Sequence, residues 1–496
     1  MRRIRLPLLA AAVFVVTAAV ASAGDYVAGP PSNASTASPF AGCTVGGPGT
    51  NFVNSEVEPW VDVNPTDTTN VVGVYQQDRW SNGGAHGLVA AVSHDGGQTW
   101  PVHSWAHFST CSGGTPANGG DFDRASDPWL SFSPNGHAYF MSLSASADLR
   151  TSAMLVAKSI DGGESWSEPI TLIRETSDFH FNDKNSLTAD PTDSNFVYAV
   201  WDRSRHPSEN ANFNALHSFA FRGDIYFSRT TNGGQTWEPA RAIFAPKANL
   251  FTIGNQIAVQ PNGTLVDIFA LARGAGIQPS PNQFFQAVIR STDKGEHWSQ
   301  PIIISTDQSV DVRDPDTGQD VRTGEGLPEI AVDRSNGNLY AVWDDGRFNG
   351  RVYDDIVFSQ STNGGRSWSA PIKVNKTPSD IAVGNRQAFT PSVHVADNGT
   401  VAVTYYDFRH NTTAPGLPTD YWLVHCHASC TNAANWSETH VAGPFDEEQA
   451  PVARGFFVGD YEGLASIGND FLPFFVQAGP VTGQSDAFAA RVRPAP

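Results

Sequence analysis

The chain has 496 residues with 45 Gly and 33 Pro, and 50 acidic residues against 31 basic ones give a net charge of -19. A charge of that sign excludes a reader of nucleic-acid phosphates, and 40% hydrophobic with only 16% charged residues excludes a disordered chain. The length admits roughly three ordinary domains or one long all-β domain, a choice that internal periodicity decides.

At the N-terminus, Arg2, Arg3 and Arg5 precede an apolar run from Leu8 to Val20, and Ala21-Ser22-Ala23 presents the small residues read by signal peptidase. The run is short for a spanning helix, and no later stretch holds about 18 consecutive apolar residues. Residues 1–23 therefore read as a signal peptide, 24–50 as an N-terminal tail and 51–496 as one domain. The mature protein is expected to be secreted, with no membrane span after cleavage. Four cysteines suit an oxidising compartment. Cys426 and Cys430 are close enough to bridge locally, which leaves Cys43 and Cys111 as the second pair. The rival is a zinc site built from His425, Cys426, His427 and Cys430, which lacks a second ligand pair at a familiar spacing.

One pattern recurs down the rest of the chain. Ser93-His-Asp95-Gly-Gly97-Gln-Thr-Trp100 is followed by Ser159-Ile-Asp161-Gly-Gly163-Glu-Ser-Trp166 and Thr230-Thr-Asn232-Gly-Gly234-Gln-Thr-Trp237. Ser291-Thr-Asp293-Lys-Gly295-Glu-His-Trp298 and Ser361-Thr-Asn363-Gly-Gly365-Arg-Ser-Trp368 come next, then a worn copy ending at Trp436. The tryptophans recur every 60 to 70 residues or so, the period of a repeat architecture. Each copy reads as a hairpin turn in which the Asp or Asn oxygen accepts from backbone N–H groups, glycine supplies positive φ, and Trp returns into the strand as an apolar plug. Such residues hold a fold and are poor candidates for catalysis.

A second set of turns precedes these by about 30 residues and includes Pro134-Asn135-Gly136, Pro261-Asn262-Gly263, Asn336-Gly337-Asn338 and Asp397-Asn398-Gly399. Strand-like runs such as Phe196-Val-Tyr-Ala-Val-Trp201 and Leu339-Tyr-Ala-Val-Trp343 follow them, and helical periodicity is absent. Each unit is thus a four-stranded meander, the blade of an all-β propeller. First strands are expected to start near Glu58, Asp127, Asn185, Asn255, Leu327, Thr390 and Tyr461, giving seven blades, with residues 45–55 closing the ring as the last strand. Six blades plus an appended unit is the alternative.

The repeated turn is the Asp box, or bacterial neuraminidase repeat, and on it the chain resembles the sialidase superfamily of β-propellers over essentially everything after the signal peptide. The resemblance implies a secreted, monomeric sialidase-like glycoside hydrolase acting on terminal, anionic sugars of a glycan or glycoconjugate, without a cofactor. The alternative it leaves is a non-catalytic Asp-box propeller that binds a glycan or protein. Sialidases use three arginines, a Tyr activated by Glu, and an Asp acid/base; Tyr stands in for the usual carboxylate because the substrate is itself anionic. The Arg-Ile-Pro motif of that family is absent, and Asn51–Ser55 in its place has no basic residue.

Residues at the starts of first strands and the ends of second strands share one rim. On it the resemblance assigns Tyr461 as nucleophile, Asp127 (with Asp123 as the other choice) as acid/base and Glu58 as the base for Tyr461. Arg79, Arg203, Arg347 and Arg409, which close Asp78-Arg79-Trp80, Trp201-Asp-Arg203, Trp343-Asp-Asp-Gly-Arg347 and Tyr406-Asp-Phe-Arg409, are the substrate-binding candidates. The competing reading is that each of these arginines pairs with an acid of its own or a neighbouring blade. No catalytic metal is expected. The acidic stretch Asp311–Asp320 is either a structural Ca²⁺ loop or a solvated turn, and His206 and His217 read as exposed loop residues.

Overall fold

A computed structural model describes residues 25–177, 179–205, 222–247, 250–273 and 284–496. The expected signal peptide and the loop holding His206 and His217 lie outside these residues. Among the described residues there is no α-helix, only short 3-10 turns, and no helix is long and apolar enough to cross a membrane.

Four separate four-stranded antiparallel sheets begin at the strands His180–Ala189, Leu250–Val259, Glu329–Val332 and Ala388–Val395, each running through its strands in chain order. A 14-stranded sheet contains three further meanders, which begin at Asn51–Val63, Arg124–Phe132 and Gly463–Ile467. Single residue pairs, Ser55 with Ser485 and Ala85 with Ala125, join those three. This nearly all-β arrangement of antiparallel meanders is consistent with a β-propeller.

The repeated turns explain why the meanders form and stack. In all five good copies the hydroxyl that opens the motif accepts the N–H of the glycine four residues on: Ser93 from Gly97, Ser159 from Gly163, Thr230 from Gly234, Ser291 from Gly295 and Ser361 from Gly365, at 2.8–2.9 Å. The Asp or Asn oxygen takes N–H groups further along, as Asp95 does from Gln98 and Thr99. That same glycine has positive φ and lies against the preceding meander. A Cβ on Gly163 would stand 2.7 Å from Val72, and one on Gly295 would stand 2.6 Å from Phe227. Gly97 in the first meander instead approaches Leu472 of the last.

The hydrophobic clusters follow the same order, each being shared by neighbouring meanders. Leu88 packs with Phe140, Met154 with Trp201, Phe227 with Phe269, Val266 with Trp343, and Phe358 with Tyr405. Tyr421 and Phe475 stack at 4.4 Å between the sixth and last, and Tyr75 of the first shares a cluster with Phe474 of the last.

Two expectations change here. Residues 45–55 do not supply the last outer strand, because Asn51–Val63 is the innermost strand of the first meander. The exposed edge of Ser485–Ala489 needs a partner for its backbone groups, and Ser32–Asn33 provides it, while Tyr26–Ala28 pairs with Val492–Pro494. Within the expected tail, Tyr26–Ala28 and Ser32–Asn33 are therefore paired into the sheet. Both disulfides form as the sequence suggests, Cys43 with Cys111 and Cys426 with Cys430, so these thiols are committed to each other and not to zinc.

Candidate functional site

The innermost strands carry a repeated irregularity at the end opposite the Asp boxes. Register shifts fall at Val57/Trp60, Ser126/Trp129, Asp183/Ser186, Ile253/Gln256 and Phe389/Ser392. The residue inside each shift has positive φ: Glu58, Asp127, Lys184, Gly254 and Thr390. A β-bulge re-aims a side chain at a local conformational cost, and non-glycine residues with positive φ persist where the surroundings hold them. Here Glu58, Asp127 and Lys184 all line one cavity of about 710 Å³.

Two excursions from the meanders complete it. Val321–Arg322 pairs in parallel with Phe456–Phe457, a contact between segments far apart in the chain. Arg322 and Asp460 reach the cavity from these segments, as does Arg454. Lys184 Nζ lies 2.6 Å from Asp460 Oδ2, 3.1 Å from Glu58 Oε1 and 3.9 Å from Asp127 Oδ1. Arg322 Nε donates to Asp460 Oδ1 at 2.9 Å, and its Nη2 bonds the other oxygen. Arg79 stands 4.0 Å from Glu58 and donates to Gln76, whose amide in turn donates to Glu58. The guanidinium groups of Arg79 and Arg322 both lie over the ring of Phe457, at 4.7 and 4.3 Å.

These contacts give the carboxyl groups different states. Burial pushes Glu58 up to about 8 even though Lys184 opposes the shift. Burial acts on Asp460 too, but Arg322 and Lys184 overcome it and hold that group well below the usual carboxylate range. Lys184 is itself held charged, its burial outweighed by Asp460, Glu58 and Asp127. On another part of the wall Glu325 is raised to about 8 by burial and by Asp311. Asp127 Oδ2 has no hydrogen-bond partner although it is buried. The cavity thus brings together a carboxyl that keeps its proton at neutral pH and a carboxyl with an uncommitted oxygen.

Of the residues expected at the site, Glu58, Asp127 and Arg79 line this cavity. Tyr461 does not. Asp460 and Tyr461 share a bend, in which Asp460 lines the cavity and Tyr461 lies beneath it. There Tyr461 packs beside Trp129 at 5.4 Å and Trp60 at 6.4 Å, and its hydroxyl donates to the Pro128 carbonyl at 3.3 Å. Burial, then the charge of Glu58, pushes its hydroxyl well above the ordinary value, which opposes formation of a phenolate nucleophile.

Arg203, Arg347 and Arg409 also stand outside the cavity wall. Arg203 pairs with Glu175 and lies over Tyr226. Arg347 donates to Asp345 at 2.9 Å and to Ser305 at 2.9 Å. Arg409 is fixed by Asp407 and Glu438 and covers Trp422 at 3.6 Å. Each arginine is engaged by acids of its own or the neighbouring meander. The cationic groups the sequence reading missed are Lys184, Arg322 and Arg454.

The Asp311–Asp320 stretch does not gather its carboxylates. Asp314 caps its own turn through Asp316 and Thr317, and Arg313 takes Asp311 and Asp320. Among the described residues no three His, Cys, Asp or Glu side chains are grouped to hold a metal.

No family model and no curated protein matches the chain. Among solved structures it is similar to an α-L-arabinanase of Penicillium chrysogenum, at 12% identity over 94% of this chain and 98% of that one, with a TM-score of 0.47. A Hadza microbial sialidase is similar at 13% identity over 86% and 74%, with a TM-score of 0.47. A polysaccharide lyase, an ulvan lyase, is similar at 11% identity over 78% and 79%, with a TM-score of 0.43. Likeness at this level assigns no chemistry, and the site is read from its own residues.

Proposed function

We propose that the chain is a seven-bladed β-propeller and a glycoside hydrolase that cleaves a terminal sugar, working outside the cell as its expected signal peptide and two disulfides would require. One observation carries the activity: a single ammonium, Lys184, holds Glu58, Asp460 and Asp127 on the wall of one large cavity. Glycosidic cleavage needs a protonated carboxyl to give its proton to the leaving oxygen and a second carboxylate to meet the sugar or activate water. Glu58 is suited to the first part, since burial keeps it protonated up to about pH 8. Asp127, with its unpartnered oxygen, is suited to the second. Arg322 and Lys184 keep Asp460 ionised, and Asp460 in turn fixes both cations. This assignment replaces the Tyr461 nucleophile.

The blade number rests on the continuous sequence of packed neighbours, which returns from the last meander to the first through Leu472 and Phe474. The activity is tested by incubating the mature protein with a fluorogenic sialoside and a panel of aryl glycosides. Turnover is expected on at least one of them, reduced about 10²- to 10³-fold by Glu58→Gln and by Asp127→Asn and unchanged by Tyr461→Phe. No release from any substrate by folded protein overturns the hydrolase reading. The displacement of Tyr461 from the cavity favours a second reading, a glycan-binding propeller without chemistry, which would show as saturable binding on a glycan array with no turnover.

A further inference from the structure

Directly beneath the large cavity lies a second, smaller one of about 40 Å³, walled by the same inner strands. Its lining includes Asn185, Asn255, Thr323, Glu329 and Asp344. Every one of these side chains is more than nine-tenths buried, and on every one an oxygen has no hydrogen-bond partner: Asn185 Oδ1, Asn255 Oδ1, Thr323 Oγ1, Glu329 Oε1 and Asp344 Oδ1.

The amide orientations are not arbitrary. Asn185 Nδ2 donates to the Asp127 carbonyl at 2.9 Å and Asn255 Nδ2 to Asp202 at 2.7 Å, so in both residues the oxygen is the atom left over. Glu329 is fixed in the same way: its other oxygen accepts from Ser392 at 2.7 Å and from the Val393 N–H at 3.3 Å. Buried polar atoms are nearly always satisfied, and leaving one unpaired costs roughly 1–3 kcal/mol. Five unpaired oxygens around one small space call for a partner that accepts nothing and attracts oxygen.

We propose that this chamber is a Ca²⁺ site, independent of the glycoside hydrolase reading. Its donors are two carboxylates and three neutral oxygens, the hard and irregular set that Ca²⁺ takes, whereas Mg²⁺ demands a stricter octahedron and keeps more water. Two carboxylates balance the charge of one dication. Lys184 and Asp460 also border the chamber, but they bind each other, and Lys184 further engages Glu58. The ion would tie together three separate meanders and the excursion that carries Arg322.

Trp129 also lines the chamber, which supplies a local probe. The full mature chain is stripped with a chelator and titrated with Tb³⁺, exciting through tryptophan, then with Ca²⁺ alone. Sensitised emission that Ca²⁺ displaces and that Trp129→Phe strongly reduces is expected, together with a Ca²⁺-dependent rise in melting temperature. Glu329→Gln and Asp344→Asn should each weaken Ca²⁺ binding at least about tenfold. The proposal is overturned if folded protein shows neither signal with Ca²⁺, if Mg²⁺ alone raises the melting temperature, or if the Ca²⁺ effect survives both Glu329→Gln and Asp344→Asn.

Discussion

The two ends of the strands treat the same chemical group in opposite ways. At the Asp-box end, acids lie in tight turns where N–H and hydroxyl groups point at them. Asp293 is brought down to about 2 by the His297 N–H and ring, and Asp161, despite some burial, is lowered by Ser165 and Ser159. At the cavity end, acids sit among buried walls and other acids, and burial pushes Glu58, Glu325 and Glu329 to about 8. A carboxylate given donors by its own turn is a structural group that stays ionised. A carboxyl deprived of them becomes a proton reservoir or a ligand.

The largest expected effect breaks this contrast at its centre. Lys184→Met leaves Glu58, Asp460 and Asp127 buried without their shared cation, and removal of one partner from a buried ion cluster costs about 3–5 kcal/mol. Lys158→Met near the Asp-box end removes one bond to the Gly233 carbonyl from a partly exposed chain, and should stay within about 0.5 kcal/mol. Denaturant midpoints of the two variants make the comparison, and equal losses would deny the cavity cluster its special standing.

Next in size is a test of the stacking contact itself. Gly163 and Gly263 both have positive φ, at 95° and 79°. A Cβ on Gly163 meets Val72 of the preceding meander at 2.7 Å, whereas one on Gly263 meets nothing within 4 Å. Gly263→Ala should lose only the left-handed backbone penalty of about 1–2 kcal/mol, and Gly163→Ala should lose that plus about 1–3 kcal/mol of overpacking. Melting temperatures ranked the other way would mean that the turns do not set the spacing between meanders.

The same contrast explains how much could be read from the sequence. The Asp-box end was legible because its causes are local: hydroxyl, acid and glycine within a few residues satisfy one another, and the copies repeat. The cavity was only half legible. Arg322 and Asp460 meet through segments 138 residues apart, which no local pattern announces. Repetition misled at the rim, since Arg203, Arg347 and Arg409 each engage an acid of their own or the neighbouring meander. One usable signal was present in the steps Glu58-Pro59, Asp127-Pro128, Leu327-Pro328 and Thr390-Pro391. Proline within a strand marks a bulge or an edge, and three of these four steps follow a residue with positive φ at the inner rim. Tyr461 was chosen for its acidic sequence neighbours, but in the bend before Gly463 those acids take other partners, Asp460 the cations Lys184 and Arg322 and Glu462 the Tyr406 hydroxyl, while the phenol packs on Trp129.

The opposite titration of the two ends should appear in a pH profile of stability. For Glu58, Glu325, Glu329 and Glu447, raised by burial to about 8, the folded state holds more protons than the unfolded state between roughly pH 4.5 and 8, so stability falls as pH rises through that window. The lowered acids, Asp460 and Asp293 among them, contribute stability that is lost as pH falls below about 4. The melting temperature, measured after metal chelation, should therefore peak at about pH 4–5 and decline by several degrees towards pH 8. A profile that rises continuously from pH 5 to 8 would place the cavity acids in the ionised state.

The smallest effect sharpens the comparison most. The repeat itself uses Asn at two copies: Asn232 and Asn363 accept the same N–H groups that Asp95 and Asp161 accept, at the same 3.0 Å from the residue four positions on in the third and fifth copies. An amide oxygen therefore suffices in the turn, and Asp95→Asn should change stability by no more than about 0.5 kcal/mol at pH 7. The substitution should also remove that group's share of the loss below about pH 4, because nothing remains to protonate. The matching change at the cavity, Asp127→Asn, keeps the shape but takes one acid out of the buried Lys184 cluster and one carboxyl out of the proposed chemistry. Turnover and the melting temperature should then both fall, whereas Asp95→Asn leaves thermal unfolding at pH 7 nearly unchanged, so the two isosteric changes separate an acid used for its turn geometry from one used in the ion cluster and the proposed reaction.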